Sequence, residues 1–134
     1  MSAWSHLPNA AHIDAVLKDV KARPDVWAAA EAAVWGAVWS AVRGVAQSAA
    51  RRTTQTALRT EGWGILWGSV QDTSSDAARG AARDAIRALI AWDESAALLD
   101  LTPDALRTII DVADGDVKHQ AVLLLPAVIA RGVS

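Results

Sequence analysis

This sequence predicts an all-α domain, a bundle of five or six helices, and three observations predict it. Apolar residues recur at helical spacing through long Ala-rich segments, and helix-start and helix-stop residues punctuate those segments. Between Trp27 and Ala91 the composition also repeats every four residues.

The repeat has a simple unit. One position in four is large or polar, and this row includes Trp35, Trp39, Arg43, Gln47, Gln55, Arg59, Trp63 and Trp67. The next row is Gly, Ser, Asp or Thr, with Gly36, Gly44, Gly64, Gly80 and Asp84 among its members, and the remaining two are mostly Ala, Val, Ile or Leu. On a helix of 3.6 residues per turn, a period of four advances about 40° per repeat. The large row is therefore a ridge that spirals, and the small rows beside it are shallow grooves into which a neighbouring helix can settle at roughly −50°. One straight helix would wind the ridge almost twice around itself, so the repeat is expected to fold into two or three shorter helices.

Taken in order, Asn9 is placed to cap a first helix ending near Arg23, with Ile13, Val16, Leu17 and Val20 as its apolar stripe. Pro24 closes that helix and opens a long second one, Asp25 to about Arg51. The row is nearly palindromic about Arg51: Gln47 matches Gln55, Arg43 matches Arg59, Trp39 matches Trp63, and Trp35 matches Trp67. An antiparallel hairpin turning near Arg51 to Thr54 would set these rungs opposite one another; pairing between two chains is the alternative. Gly62, Gly64 and Gly68 mark a short or tightly packed third segment, and residues 72–76 form an internal boundary rich in capping residues. A helix then runs from about Asp76 towards Leu99, with Asp76–Arg79 and Asp84–Arg87 spaced for surface ion pairs and Asp93 placed to cap a restart. Thr102-Pro103-Asp104 is a strong helix start, Asp114-Gly115-Asp116 closes that helix and caps the next, and the final helix runs to Gly132 past a kink at Pro126. These divisions make one domain over residues 1–134: an N-terminal helix (1–23), the tetrad-repeat helices (24–92) and the C-terminal helices (93–134).

Composition removes several functional classes. The formal net charge is −2, which lacks the basic footprint of a protein that binds a nucleic-acid polymer. Without Cys there are no disulfides, thiolate nucleophiles or Cys-based zinc sites. The first eight residues lack a signal-peptide pattern, and a cytoplasmic protein is expected. The most apolar segment, Ala121 to Ala130, is half the length of a membrane span and contains Pro126, so it is expected in the core and no membrane partner is predicted. Phe and Tyr are absent and seven Trp supply every aromatic ring, so the core must combine very small with very large side chains.

Catalytic patterns are not found. His6, His12 and His119 lack the spacing of a helical zinc site, and Asp111, Asp114 and Asp116 lack the distal Glu of a calcium loop. Gly62-Trp63-Gly64-Ile65-Leu66-Trp67-Gly68 follows no strand and carries indoles where a phosphate would approach. No enzyme activity, catalytic residue, metal or cofactor is predicted.

The remaining constellation is the ridge itself. Trp35, Trp39, Trp63 and Trp67 can stack on a planar ligand, Arg43 and Arg59 can grip phosphate or carboxylate bidentately, and Gln47 and Gln55 can read an edge. The competing reading makes the indoles core plugs with arginines laid over them as cation–π pairs. Between Trp27 and Gln71 the only acids are Glu31 and Glu61, so an anionic ligand or a water-filled channel at an oligomer centre is expected to offset the arginines.

The tetrads from Trp27 to Ile90, followed by Ala91-Trp92-Asp93 and Leu98-Leu99 and later by Leu123-Leu124-Leu125-Pro126-Ala127, resemble the Ala/Trp/Arg/Asp tetrad-repeat proteins of phage, prophage and bacterial genomes. A weaker similarity is to helical immunity proteins with Ala/Arg-rich repeats. This chain departs from the usual unit by placing Val, Gly, Ser and Gln where Ala and Asp often stand. The resemblance implies a small helical protein without assigned activity and, if phage-encoded, a role against host defence. The leading expectation is a homo-oligomeric, non-catalytic binding protein that sequesters a nucleotide-like small molecule. The alternatives are a protein that blocks a host protein through an exposed Trp patch and a purely structural assembly unit.

Overall fold

A computed structural model describes residues 4–54, 60–71 and 75–132. Among these residues the architecture is all-helical, with seven α-helices, one 3-10 helix and no strand. The α-helices are α1 (Ala10–Ala22), α2 (Pro24–Val34), α3 (Ala37–Thr54), α4 (Thr60–Gln71), α5 (Asp76–Ala91), α6 (Pro103–Val112) and α7 (Asp116–Arg131); the 3-10 helix is Asp93–Asp100.

Two helices form the centre, and their sequences explain why. Residues 120–128 of α7 are buried without interruption, including Val122, Leu123, Leu124 and Pro126, and α7 packs on α2, α3, α5 and α6. Among the described residues no helix is long and apolar enough to cross a membrane. The second central helix, α5, buries Ala78, Ala81, Ala82, Ala85 and Ala88 together with Ile86 and Leu89, and α1, α2, α3 and α4 lie against it. Alanines on its packing face let neighbouring backbones approach closely. Large groups from the surrounding segments fill the space that remains: Trp4, Trp27 and Trp92 are buried, and Trp39, Trp63 and Trp67 pack half-buried against the same core.

The joint between α1 and α2 is fastened by charge. Arg23 donates from Nε and Nη2 to the two carboxylate oxygens of Asp19, at 2.9 and 2.8 Å, and Nη2 also reaches the Ala130 carbonyl at 3.2 Å. Asp19 accepts a further 2.8 Å bond from Trp27 Nε1. The Arg23 bonds, ahead of the Trp27 bond, hold the Asp19 carboxyl below the usual carboxylate range against the opposing effect of burial.

Several local expectations change in the structure. Asn9 precedes α1 but makes no side-chain cap; its amide instead donates to the carbonyls of Leu89, Trp92 and Asp93, which tie the start of the chain to the end of α5. The long second helix is broken at Trp35-Gly36, where Trp35 is extended. Gly36 lowers helix propensity there, and the break lets α2 and α3 lie separately on α5 and α7. The stretch expected to continue α5 to Leu99 is a 3-10 helix, entered through an extended Trp92. Gly115, at φ 74°, precedes α7 in a conformation that suits glycine, so the neighbouring aspartates make no cap there. In contrast, Ser75 and Thr102 cap α5 and α6, accepting from the backbone N–H groups of Ala78 and Ala105.

The palindrome does not produce a packed hairpin among the described residues. The extensive contacts of α3 are with α7 and α5, and those of α4 are with α5. The proposed Gln47–Gln55 and Arg43–Arg59 rungs include residues outside the described set.

Candidate functional site

The large row divides into two clefts on either side of a buried carboxylate, Asp84. Asp84 sits on α5 and is 1% exposed. It accepts from Arg43 Nε at 2.5 Å, from Gln47 Nε2 at 2.9 Å and from Arg87 Nη1 at 3.1 Å. The Asp84–Arg87 pair therefore forms, but on a buried acid and not at the surface. The Asp76–Arg79 pair also forms, and the Asp76 side chain is almost fully exposed.

The first cleft, of about 610 Å³, is lined by Glu31, Ala32, Trp35, Arg43, Asp76, Ala77 and Gly80. Arg43 is its floor. Besides Asp84, the guanidinium pairs with Glu31 at 3.0 Å, and it lies 5.8 Å from the ring centroid of Trp35. Gly80 makes room for it, since a Cβ there would stand 3.3 Å from Arg43 Nη2. Burial raises the Glu31 carboxyl above its ordinary value; Arg43 opposes that shift and Asp84 adds to it. The second carboxylate oxygen of Glu31 is buried without a hydrogen-bond partner, as is Trp39 Nε1. Trp35 is 61% exposed.

These contacts correct the charge argument made from the sequence. The Arg43 guanidinium is offset inside the protein by one acid from α2 and another from α5. Counting acids along the row missed Asp84 because it is 41 residues away in the chain and arrives by helix packing. The same spacing signal was visible in another form: Asp84 belongs to the small row, which packs beside the large one.

The second cleft, of about 350 Å³, is lined by Arg51, Thr54, Trp63, Trp67 and Arg87. Trp63 and Trp67, one repeat apart on α4, stack with ring centroids 5.4 Å apart and planes inclined by 24°. The Arg87 guanidinium lies 5.5 Å from the Trp67 centroid. Burial comes first in pulling the Arg87 pKa below its usual value; Asp84 opposes this, and repulsion from Arg83 and Arg51 adds to it. Three arginines thus crowd a region whose buried acid, Asp84, is already shared. Arg51, Arg83 and Arg87 were not among the residues singled out from the ridge chemistry, although all three fall in its register.

Of the expected site residues, Trp35 and Arg43 line the first cleft, Trp63 and Trp67 line the second, and Gln47 joins the Asp84 hub between them. Trp39 packs against the core. Gln55 and Arg59 lie outside the described residues. Among the described residues no group of three or more His, Asp or Glu side chains is arranged to hold a metal ion. Compared with family models, curated proteins and solved structures, the chain matches none of them.

Proposed function

We propose that this chain is a non-catalytic binding protein that takes a planar, anionic, nucleotide-like small molecule in the Trp63–Trp67 cleft. The observation that carries the reading is the excess of guanidinium over carboxylate among the described residues there. Arg51 and Arg87 line a cleft walled by two indoles, Arg83 lies close enough to repel Arg87, and Asp84 already serves Arg43 and Gln47. Arginine forks suit phosphate and carboxylate, and indoles suit a flat ring. In this reading the four-residue repeat is the construction rule: its large row supplies rings and cations, and its small row supplies grooves and the acid that secures one end. The resemblance in the tetrads supports a phage setting, in which sequestering a nucleotide signal would act against host defence. Denaturing extraction of the purified protein followed by mass spectrometry tests the proposal. A stoichiometric planar anion that is lost on Arg51→Ala supports it; its absence from a protein that also ignores added nucleotides would end it.

A second reading is favoured by the outer face at the α2–α3 joint. Trp35, Val38 and Val45 are exposed there, Val38 by 81%. Such a stripe suits contact with a protein, either another copy of the chain or a host protein that it blocks. Sedimentation of the wild type beside Val38→Lys separates the two, because only self-association would be visible without a partner.

A further inference from the structure

Resting on the binding reading above, we infer that the Trp63–Trp67 cleft selects a ligand with one aromatic ring system and one phosphate-sized anionic group, the class of a nucleoside monophosphate, over dinucleotides and triphosphates. Three features of the cleft set that limit.

The first is how the rings are already used. Trp63 and Trp67 stack on each other at 5.4 Å, whereas a flat ring held between them would need two carbon contact distances, about 7 Å in all. The indoles are therefore no sandwich. Trp67 also carries Arg87 over its ring, which leaves Trp63 as the platform for a single stack.

The second is the cation count. Arg87 commits Nη1 to Asp84 and is held in place by that bond and by Trp67. It presents a fixed edge to one anionic group. Arg51 is exposed and can close on the same group from α3. Among the described residues two guanidiniums line the cleft, one of them shared with an acid, with Arg83 outside the lining; they match a single phosphate better than a chain of three.

The third is space. At about 350 Å³ the cleft stands at the lower end of the roughly 300–1,000 Å³ typical of small-molecule sites. A second ring system would have to lie outside it. The neighbouring 610 Å³ cleft does not extend the anion site, because its lining cation, Arg43, is already clasped by Glu31 and Asp84.

The test uses the full chain and five probes: AMP, adenosine, inorganic phosphate, ATP and cyclic di-AMP. Indole N–H resonances of Trp63 and Trp67, assigned through Trp63→Phe and Trp67→Phe, report occupancy, and calorimetry gives the affinities. AMP should shift the Trp63 signal, with adenosine and phosphate each binding about tenfold or more weaker, and Arg51→Ala should weaken AMP about tenfold. Because Arg51 is exposed, that variant keeps its fold and the comparison stays readable. ATP or cyclic di-AMP binding tenfold tighter than AMP would overturn the size and charge limit while leaving an anion site standing. If none of the five probes perturbs either indole, the binding reading itself fails, and this inference with it.

Discussion

Two arginines of this protein each lie over an indole, Arg43 over Trp35 and Arg87 over Trp67, yet their surroundings differ. Arg43 is clasped by two carboxylates, Glu31 and Asp84, in a protein-made ion cluster. Among the described residues Arg87 receives only a share of Asp84, and it has two further arginines near it. The comparison teaches that the same pair of residue types, repeated along one row, is neutralised by two acids at one end and by a shared acid at the other, where the proposed ligand would sit. What separates them is the acid supplied by neighbouring helices.

The largest effect should follow from removing that acid. Asp84→Ala would leave Arg43 with Glu31 alone and deprive Arg87 of its buried carboxylate, and a loss of about 3–5 kcal/mol is expected in urea unfolding. A loss below about 1 kcal/mol would mean that the hub contributes little, and the contrast between the two ends would lose its basis. Arg43→Ala comes next, at about 2–3 kcal/mol, because it leaves Glu31 and Asp84 without their main cation.

Glu31→Gln should act mainly through pH. A carboxyl raised above its ordinary value favours the protonated folded state. Its contribution is whole below the ordinary glutamate range and is lost as pH rises through the raised value. Wild-type stability should therefore fall relative to Glu31→Gln on going from about pH 4 to pH 7, as followed by denaturant midpoints. A gap that stays constant over that range would show that Glu31 titrates as it does in the unfolded chain. The smallest effect on stability is expected for Arg51→Ala, within about 0.5 kcal/mol, since the residue is exposed. A large loss there would move the second end into the architectural class as well.

The sequence made the helical class legible because Ala-rich periodicity and terminal signals agree. Pro24 at the start of α2 and Thr102-Pro103 at the start of α6 fall where local chemistry dictates, and Ile13, Val16, Leu17 and Val20 are the buried stripe of α1. The segment from Ala121 to Ala130 lies almost wholly in the core, as its composition foretells. The failures have a common cause in tertiary packing. Asn9 has the right chemistry to cap α1, but three carbonyls at the end of α5 make a better set of acceptors. The break at Trp35-Gly36 follows from where α2 and α3 must lie, which an Ala-rich helix pattern does not record. Half of the row's electrostatics was hidden for the same reason: Asp84 reaches Arg43 only after α3 and α5 have met.

The position of α7 in the chain has a consequence for synthesis. Helices α2, α3, α5 and α6 all lean on a segment that is made after them. Their apolar faces must wait while translation, at roughly 5–20 residues per second, delivers the residues that will cover them. The nascent chain thus holds only one of its two central helices, α5, until α7 follows, and its window of vulnerability to aggregation closes only when Leu123 and Leu124 emerge.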